Sequence, residues 1–291
     1  MEIRNLQTFV HICDNGSFSK TAENLGYTQS TVSSHIQQLE NELGVPLFNR
    51  NGKRFSLSIK GKELLYYARN ILAQVNEATS VVTDASTPCG ELRIGVIETI
   101  STYLLPPILE KYIIANQNVK VYIKTATTLE IMEMLNKGEI DIMITLDDPL
   151  YTPNWVCAFR KTTPIRYLCS ATHPFAKRYD ISLQEFAKEN ILMTEKLCNY
   201  RNSFETLCNL HHVIPNSNLE IGCTQTIIDY TKKGLGVTIL PEFTVTPFIE
   251  NKTLSVINVR DSEIEMEIQL IYRNDIWLSP AAKEFISEFQ I

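Results

Sequence analysis

Apolar residues in the first part of the chain recur at helical spacing. Over residues 5–14, Leu6, Phe9, Val10 and Cys13 fall at i, i+3, i+4 and i+7, and over residues 18–25 Phe18, Ala22 and Leu25 share one side. A third run follows Gly26, whose missing side chain suits a tight turn. There Val32, Ile36, Leu39 and Leu43 are separated by four, three and four positions. At about 100° per residue that is one narrow stripe, which must face a core. The other side of the same helix is polar, with Ser30, Ser33, Ser34, Gln37 and Asn41, while Thr28 is placed to cap it and Thr31 stands near its first turn. Cys13 reads as a packed apolar residue. The pattern predicts a helix-turn-helix, whose second helix meets the major groove of DNA with hydroxyl and amide side chains that read base edges. An ordinary helical hairpin with a solvated face would show the same two helices.

The next segment separates these readings. Pro46-Leu47-Phe48 leads into Asn49-Arg50-Asn51-Gly52-Lys53-Arg54-Phe55, and Asn-Gly between short apolar segments is the strongest local signal for a hairpin turn. A winged helix-turn-helix follows. From residue 50 to 62 there are five basic residues (Arg50, Lys53, Arg54, Lys60, Lys62) and no acidic one, a composition suited to phosphate contacts.

Residues 1–65 resemble the DNA-binding domain of the LysR-type transcriptional regulators. The likeness runs from Leu6-Gln7-Thr8-Phe9 through Ser19-Lys20-Thr21-Ala22-Glu23-Asn24-Leu25 and Thr28-Gln29-Ser30-Thr31-Val32-Ser33 to Leu39-Glu40-Asn41-Glu42-Leu43-Gly44 and Leu47-Phe48-Asn49-Arg50. One departure bears on DNA reading: where many members carry Arg or Lys on the outer face of the recognition helix, this chain has Ser34, Gln37 and Gln38. Base reading is then expected from Thr28, Gln29, Ser30, Thr31, Ser33, Ser34, Gln37 and Gln38 and from groove shape. Arg50, Lys53 and Arg54 hold the backbone.

Ser58 caps a helix that the pattern carries to about residue 84. Leu64, Ala68, Ile71, Val75, Ala78 and Val82 are spaced 4-3-4-3-4 along it, a heptad stripe that a two-helix coiled coil requires. It is read as a dimerisation linker, a helix packing within its own monomer being the alternative. Ser86-Thr87-Pro88-Cys89-Gly90 then breaks the pattern. Beyond it β-rich runs (91–96, 119–125, 140–145) alternate with helical ones (102–115, 129–137), which is βαβαβ order and a parallel sheet. A second alternating set has strands near 165–170, 191–194, 219–221 and 237–240 and helices near 183–189, 202–210 and 225–233. Residues 265–272 and a last helix over 280–289 return to the first set. The expected fold is an α/β effector region of two Rossmann-like lobes behind an all-α winged helix-turn-helix and a long linker helix. The family resemblance implies a region similar to the type 2 periplasmic binding proteins, crossed twice by the chain. The domains are 1–58 (DNA-binding), 59–87 (linker) and 88–291 (effector-binding), with lobe I at about 88–161 and 266–291 and lobe II at about 162–265.

Charge changes this picture little. The net charge is −6, yet residues 1–87 hold eight basic and eight acidic residues, leaving nineteen basic and twenty-five acidic for the rest. The basic groups of the first part gather in the wing and the following helix. No apolar run approaches the roughly 18 residues of a membrane span and no signal peptide opens the chain, so a cytoplasmic protein with no membrane partner is expected. Seven cysteines lie without paired spacing and no Cys/His cluster offers a metal site. Reduced thiols are the default reading. No cofactor is implied.

Ligands of open α/β sheets bind beyond the carboxyl ends of strands, where helix N-termini offer amides to anions. Hydroxyl clusters stand at three such places: Thr99, Ser101 and Thr102; Thr127 and Thr128; Thr224, followed by Gln225. Simple N-capping would explain one hydroxyl at each. In the LysR-type regulators these segments line the effector cleft, so the resemblance implies that Thr99, Ser101, Thr127 and Thr224 touch a small, anionic metabolite. Arg201, at another helix start, would pair with its acid group or lie on the surface.

The function expected is a DNA-binding regulator modulated by such a metabolite. Its partners would be double-stranded DNA, the effector and itself; the resemblance implies a dimer and a tetramer and allows RNA polymerase as a further partner. The alternative is a thiol-based redox sensor using Cys198 and Cys208. The residues around these cysteines fit it poorly, because Cys208 shares an apolar stripe with Phe204 and Leu207. An enzyme lacks support: there is no phosphate loop, metal spacing or GxSxG, Gly234-Leu235-Gly236 closes a helix before a strand, and His211-His212 has no third ligand.

Overall fold

The computed structural model of the chain describes residues 1–49, 56–82 and 88–289. Two compact units emerge, Met1–Thr87 with Asp275–Ser279, and Pro88–Asn274 with Pro280–Ile291.

In the first unit, helices α1 (Ile3–Asn15), α2 (Phe18–Leu25) and α3 (Gln29–Leu43) precede a hairpin of β1 (Phe48–Asn49) and β2 (Ser56–Leu57), followed by α4 (Ile59–Val82). Gly26, at φ 66°, ends α2 and makes the turn that a side chain would strain. The Thr28 hydroxyl accepts from the Thr31 amide at 3.2 Å and so caps α3. Leu6, Phe9, Val32, Ile36 and Leu39 form the buried core, while Leu43, assigned to the same stripe, is 39% exposed because the core ends a turn earlier. Glu40 hangs the wing on α3: its Oε1 accepts from the amides of Leu47 (2.7 Å) and Phe48 (3.4 Å). Phe48 packs edge-on against Phe18 and at a tilt against Phe9. The strands pair Phe48 with Leu57 and Asn49 with Ser56, a wing whose turn at Asn51-Gly52 lies outside the described residues.

Helix α4 divides the heptad stripe. Ala68 is fully buried, and Leu64 and Ile71 are partly buried against the core of their own unit. The reason is that α4 crosses α1, where Arg69 also pairs with Asp14 at 2.7 Å. Val75 is half-buried, and Ala78 and Val82 are exposed.

The second unit contains β3 (Gly90–Val96), α5 (Glu98–Tyr103), α6 (Leu105–Ala115), β4 (Val119–Thr125), α7 (Thr128–Asn136), β5 (Ile142–Asp147) and β6 (Trp155–Ser170). After a 3-10 turn at Pro174–Lys177 come α8 (Leu183–Lys188), β7 (Leu192–Met193), α9 (Asn199–Leu210), β8 (Leu219–Glu220), α10 (Thr224–Lys232) and β9 (Thr238–Pro241). The chain ends with α11 (Glu242–Glu250), β10 (Leu254–Ile257), β11 (Ile264–Arg273) and α12 (Pro280–Glu288). One sheet runs β10-β6-β11-β5-β3-β4, with β9 also on β6, and β7 pairs β8 separately. β4, β3 and β5 are parallel. Leu92, Ile94 and Val96 of β3 and Ile142 to Ile144 of β5 are buried, as strands covered on both faces must be. Gly95 lets α7 approach this strand closely, because a Cβ there would meet Ile140 at 2.4 Å and Ile131 at 2.8 Å.

The two lobes share strands. The first half of β6 pairs β11 in lobe I, while its second half pairs β9 and β10 in lobe II. This continuous strand differs from the short one expected over 165–170, as does a helix, α11, with Pro247 inside it. The helix expected over 102–115 is two, α5 and α6, with Pro at the start of the second. In lobe I the Tyr112 hydroxyl donates to Ala281 O at 2.7 Å and its ring meets Phe285 edge-on. In lobe II Tyr167, Phe186 and Phe204 form a triangle of aromatic edges beneath α9.

Candidate functional site

The carboxyl ends of β3, β4 and β5 face those of β7 and β8 across a cleft that encloses a cavity of about 360 Å³. Lobe I contributes the turns Ile97 to Thr99 and Thr125 to Thr128, with Glu130 and Leu146; lobe II contributes Thr194 and Glu195, Leu197 to Tyr200, Gly222 and Thr224. Of the expected effector contacts, Thr99, Thr127, Thr128 and Thr224 line this cavity.

Their surroundings differ. Thr99 is 4% exposed, and its Oγ1 is buried without a hydrogen-bond partner among the described residues. Thr127 is engaged in a capping box: its amide and hydroxyl donate to Glu130 Oε2 at 3.0 and 2.8 Å, and its hydroxyl accepts from the Glu130 amide. Those bonds hold the Glu130 carboxyl below its usual range. Thr128 exchanges a hydrogen bond of 2.7 Å with Thr145. The Thr224 hydroxyl crosses the cleft to donate to Glu98 Oε2 at 2.6 Å.

Two further side chains, Asn199 and Tyr103, join the lobes. Asn199 Nδ2 lies within 2.9 Å of Thr128 Oγ1, Leu146 O and Asp147 Oδ2, and Tyr103 donates to Gln225 Oε1 at 3.0 Å. Burial raises the Asp147 carboxyl above its usual value. Sequence reasoning missed Asn199, Glu98, Thr194 and Tyr200; the position of Asn199 at the start of a helix after a strand was the available signal.

Four expected contacts lie elsewhere. Ser101 accepts from Thr125 at 3.5 Å without reaching the cavity, Thr102 points to solvent, and Gln225 is taken by Tyr103. Arg201 is buried behind the cleft, where Nε bonds Glu205 (2.7 Å) and one terminal nitrogen bonds both Glu220 (2.8 Å) and the Thr194 carbonyl. Burial works against its charge, and the bonds to Glu205 and Glu220 outweigh burial and raise its pKa. It does not line the cavity.

The helices that end at the cavity are capped unequally. α9 and α10 start at Cys198 and Cys223, whose sulfurs lie against first-turn amides with no oxygen cap. Burial raises the Cys198 thiol. Cys208, fully buried, is pushed up to about 11 by burial and then by Glu205. The two cysteines stand at opposite ends of α9, about 15 Å apart along its axis at 1.5 Å per residue. A disulfide needs Cα atoms about 4.4–6.8 Å apart, so this pair requires α9 to unwind. Among the described residues no His/Cys/Asp/Glu group is arranged to hold a metal, and no helix is long and apolar enough to cross a membrane.

On the DNA-reading side, Thr28, Ser30, Ser33, Ser34, Gln37 and Gln38 are exposed on or beside α3. Thr28 bonds Ser30 and Thr31 at 2.8 Å each, Gln29 accepts from Ser19 and Gln38 from Asn5. These bonds stiffen the helix start and leave Ser33, Ser34 and Gln37 as its outermost polar groups. Arg50, Lys53 and Arg54 lie outside the described residues.

Residues 3–62 match the model of bacterial regulatory helix-turn-helix proteins of the LysR family, and residues 85–290 match the LysR substrate binding domain. The chain belongs to the LysR family of transcriptional regulators. A LysR-family relative in Bacillus subtilis, the HTH-type transcriptional regulator YwqM, is 35% identical over 98% of this chain and 97% of its own. The B. subtilis regulator GltR is 28% identical over 100% and 96%. Solved structures share this LysR fold. A full-length OxyR variant from Pseudomonas aeruginosa superposes with a TM-score of 0.80 at 21% identity, covering 99% of this chain and 94% of that one. CbnR in complex with its target DNA gives 0.63 at 19%, covering 99% and 98%.

Proposed function

We propose that this LysR-type regulator is switched by a small, carboxylate-bearing metabolite held between its two effector lobes. The observation that carries the reading is Thr99, a residue of the cavity wall whose buried hydroxyl has no hydrogen-bond partner among the described residues. A buried hydroxyl without a partner costs about 1–3 kcal/mol, which a ligand acceptor recovers. Thr127, Thr128 and Thr224 surround it, and the amides that open α9 and α10 supply positive potential for an acid group. A ligand acts only through different affinities for two arrangements of the protein, and lobes joined by side-chain bonds at Glu98, Asn199 and Gln225 provide a closed arrangement to favour or break.

In this reading Ser33, Ser34 and Gln37, with Thr28 to Thr31 and Gln38, meet base edges and sugar-phosphate, and Arg50, Lys53 and Arg54 meet phosphates. The protein acts in the cytoplasm as a dimer or tetramer, joined in part through the Val75, Ala78 and Val82 half of α4. The test is a thermal-shift screen of metabolites on the full chain, since a ligand at 100 times its Kd stabilises by about 2.7 kcal/mol. Thr99→Val is expected to abolish the shift and the effector's influence on transcription while operator affinity is retained. A full response from Thr99→Val would refute the cleft assignment.

A further inference from the structure

The cavity is acidic for a site that would take an acid. Glu98, Glu130 and Glu195 line it, and no lysine, arginine or histidine does so among the described residues. Glu130 is already satisfied, by the Thr127 capping box and by Lys124 beside it. Lys196, next to Glu195 in sequence, acts on Glu220 outside the cavity. Glu98 and Glu195 therefore line the cavity without an ion pair among the described residues; Glu98 has the Thr224 hydroxyl on Oε2, and Glu195 is exposed beside Gly222. An anion alone would sit against two uncompensated carboxylates. A ligand with a cationic end would neutralise them, and the carboxylates do not converge as a metal site requires.

The second observation is independent of charge. Thr99 is more than nine-tenths buried, its Oγ1 has no hydrogen-bond partner among the described residues, and the residue lines the same cavity directly after Glu98 in the chain. Hydroxyl and carboxylate thus belong to consecutive residues that both line the cavity, one lacking an acceptor and the other a cation among the described residues. Across the cleft, no oxygen caps α9 or α10; the Cys198 and Cys223 sulfurs take the amides of Tyr200, Arg201, Gln225 and Thr226, which leaves those of Asn199 and Thr224, two residues that line the cavity. Donors for a carboxylate and acceptors for an ammonium lie within one cavity of about 360 Å³, the scale of a small metabolite.

We infer that the effector is a zwitterion of the α-amino acid class, its carboxylate on the Thr99 hydroxyl and the Thr224 amide and its ammonium on Glu98 and Glu195. The inference rests on the cleft being the effector site. The ammonium competes with the Thr224 hydroxyl for Glu98, so binding exchanges a bond between the lobes for one through the ligand. That exchange couples occupancy to lobe arrangement.

The experiment is isothermal titration of the full chain with the common L-amino acids and, for any that binds, with the matching amine lacking the carboxylate and the matching acid lacking the ammonium. One amino acid is expected to bind, and both truncated probes to bind at least about tenfold more weakly. Glu98→Gln, which keeps shape, is expected to weaken the amino acid about tenfold and leave the acid within about twofold, while Thr99→Val weakens both. If the acid binds as tightly as the amino acid and Thr99→Val still weakens it, the ammonium assignment is overturned and the cleft stands. If the amine binds as tightly as the amino acid, the carboxylate half is overturned. Binding untouched by either substitution overturns cleft and zwitterion together, and no binding by any amino acid at millimolar concentration overturns the amino-acid class.

Discussion

Replacing Arg201 by methionine separates a structural arginine from a ligand-binding one. The side chain is 10% exposed, and its guanidinium joins the first turns of α9 to Glu220 on β8 and to the Thr194 carbonyl after β7, with Glu205 one turn further along α9. Each hydrogen bond to a charged group contributes roughly 1.5–3 kcal/mol when buried. Glu205 and Glu220 are 39% and 48% exposed and rehydrate once released, which discounts the two ion pairs strongly. The Thr194 carbonyl, in a buried residue, loses a donor outright. Methionine keeps the apolar stem packed. The net expectation is a loss of about 2–3 kcal/mol, which for a unit of about 200 residues lowers Tm by about 4–12 °C. The assay is calorimetry of the full chain with and without effector, together with effector titration below the lowered Tm. Effector affinity should stay within about threefold of wild type, because Arg201 does not line the cavity. An unchanged Tm with effector binding lost would refute this, and would mean that the guanidinium leaves its carboxylates for the ligand.

The wing, α4 and one capping box supply the other expectations. Arg54→Ala should weaken specific and non-specific DNA binding alike and lower the salt slope by about one unit, since a phosphate contact carries no sequence information; a loss confined to one operator would contradict it. On α4, Ile71→Asp should destabilise the helical unit, whose core it packs on, whereas Val75→Asp should dissociate dimers with that unit still folded. Light scattering and circular dichroism together distinguish these outcomes, and dimers that survived Val75→Asp would remove this seam. The Glu185 carboxylate is held down to about 2 by the Ser182 amide, then by Arg178 and the Ser182 hydroxyl. Its folded pKa lies below its ordinary 4.5, so its contribution is present above 4.5 and disappears as pH falls towards about 2. Glu185→Gln should flatten the acid limb of the stability curve in that window, and an unchanged limb would show that the capping box contributes nothing there.

Much of the molecule was legible in the chain because it is encoded locally. The stripe Val32, Ile36, Leu39, the Thr28 cap and the Gly26 turn specify a helix and its outward face with no knowledge of the rest, and they place Ser33, Ser34 and Gln37 outside. The alternation of β-rich and helical runs beyond residue 88 likewise specified parallel strands with crossovers. What the sequence left open depends on partners distant along the chain. Thr99 and Ser101 are two positions apart on a six-residue helix, about 200° round its axis, so packing alone decides that Thr99 reaches the cavity. Leu64, Ala68 and Ile71 fit a dimer seam by spacing, yet α4 lies on α1 within the monomer, which buries Ala68 fully and Leu64 and Ile71 in part. Arg201 looked available because Glu220, nineteen residues on, reaches it only through the pairing of β7 with β8. The acidity of the cleft is invisible in a net charge spread over 291 residues, because Glu98, Glu130 and Glu195 meet only where two lobes face each other. Spacing along a helix or strand reports which side chains share a face, but which face meets which is settled by long-range packing, and the cleft is made of such meetings.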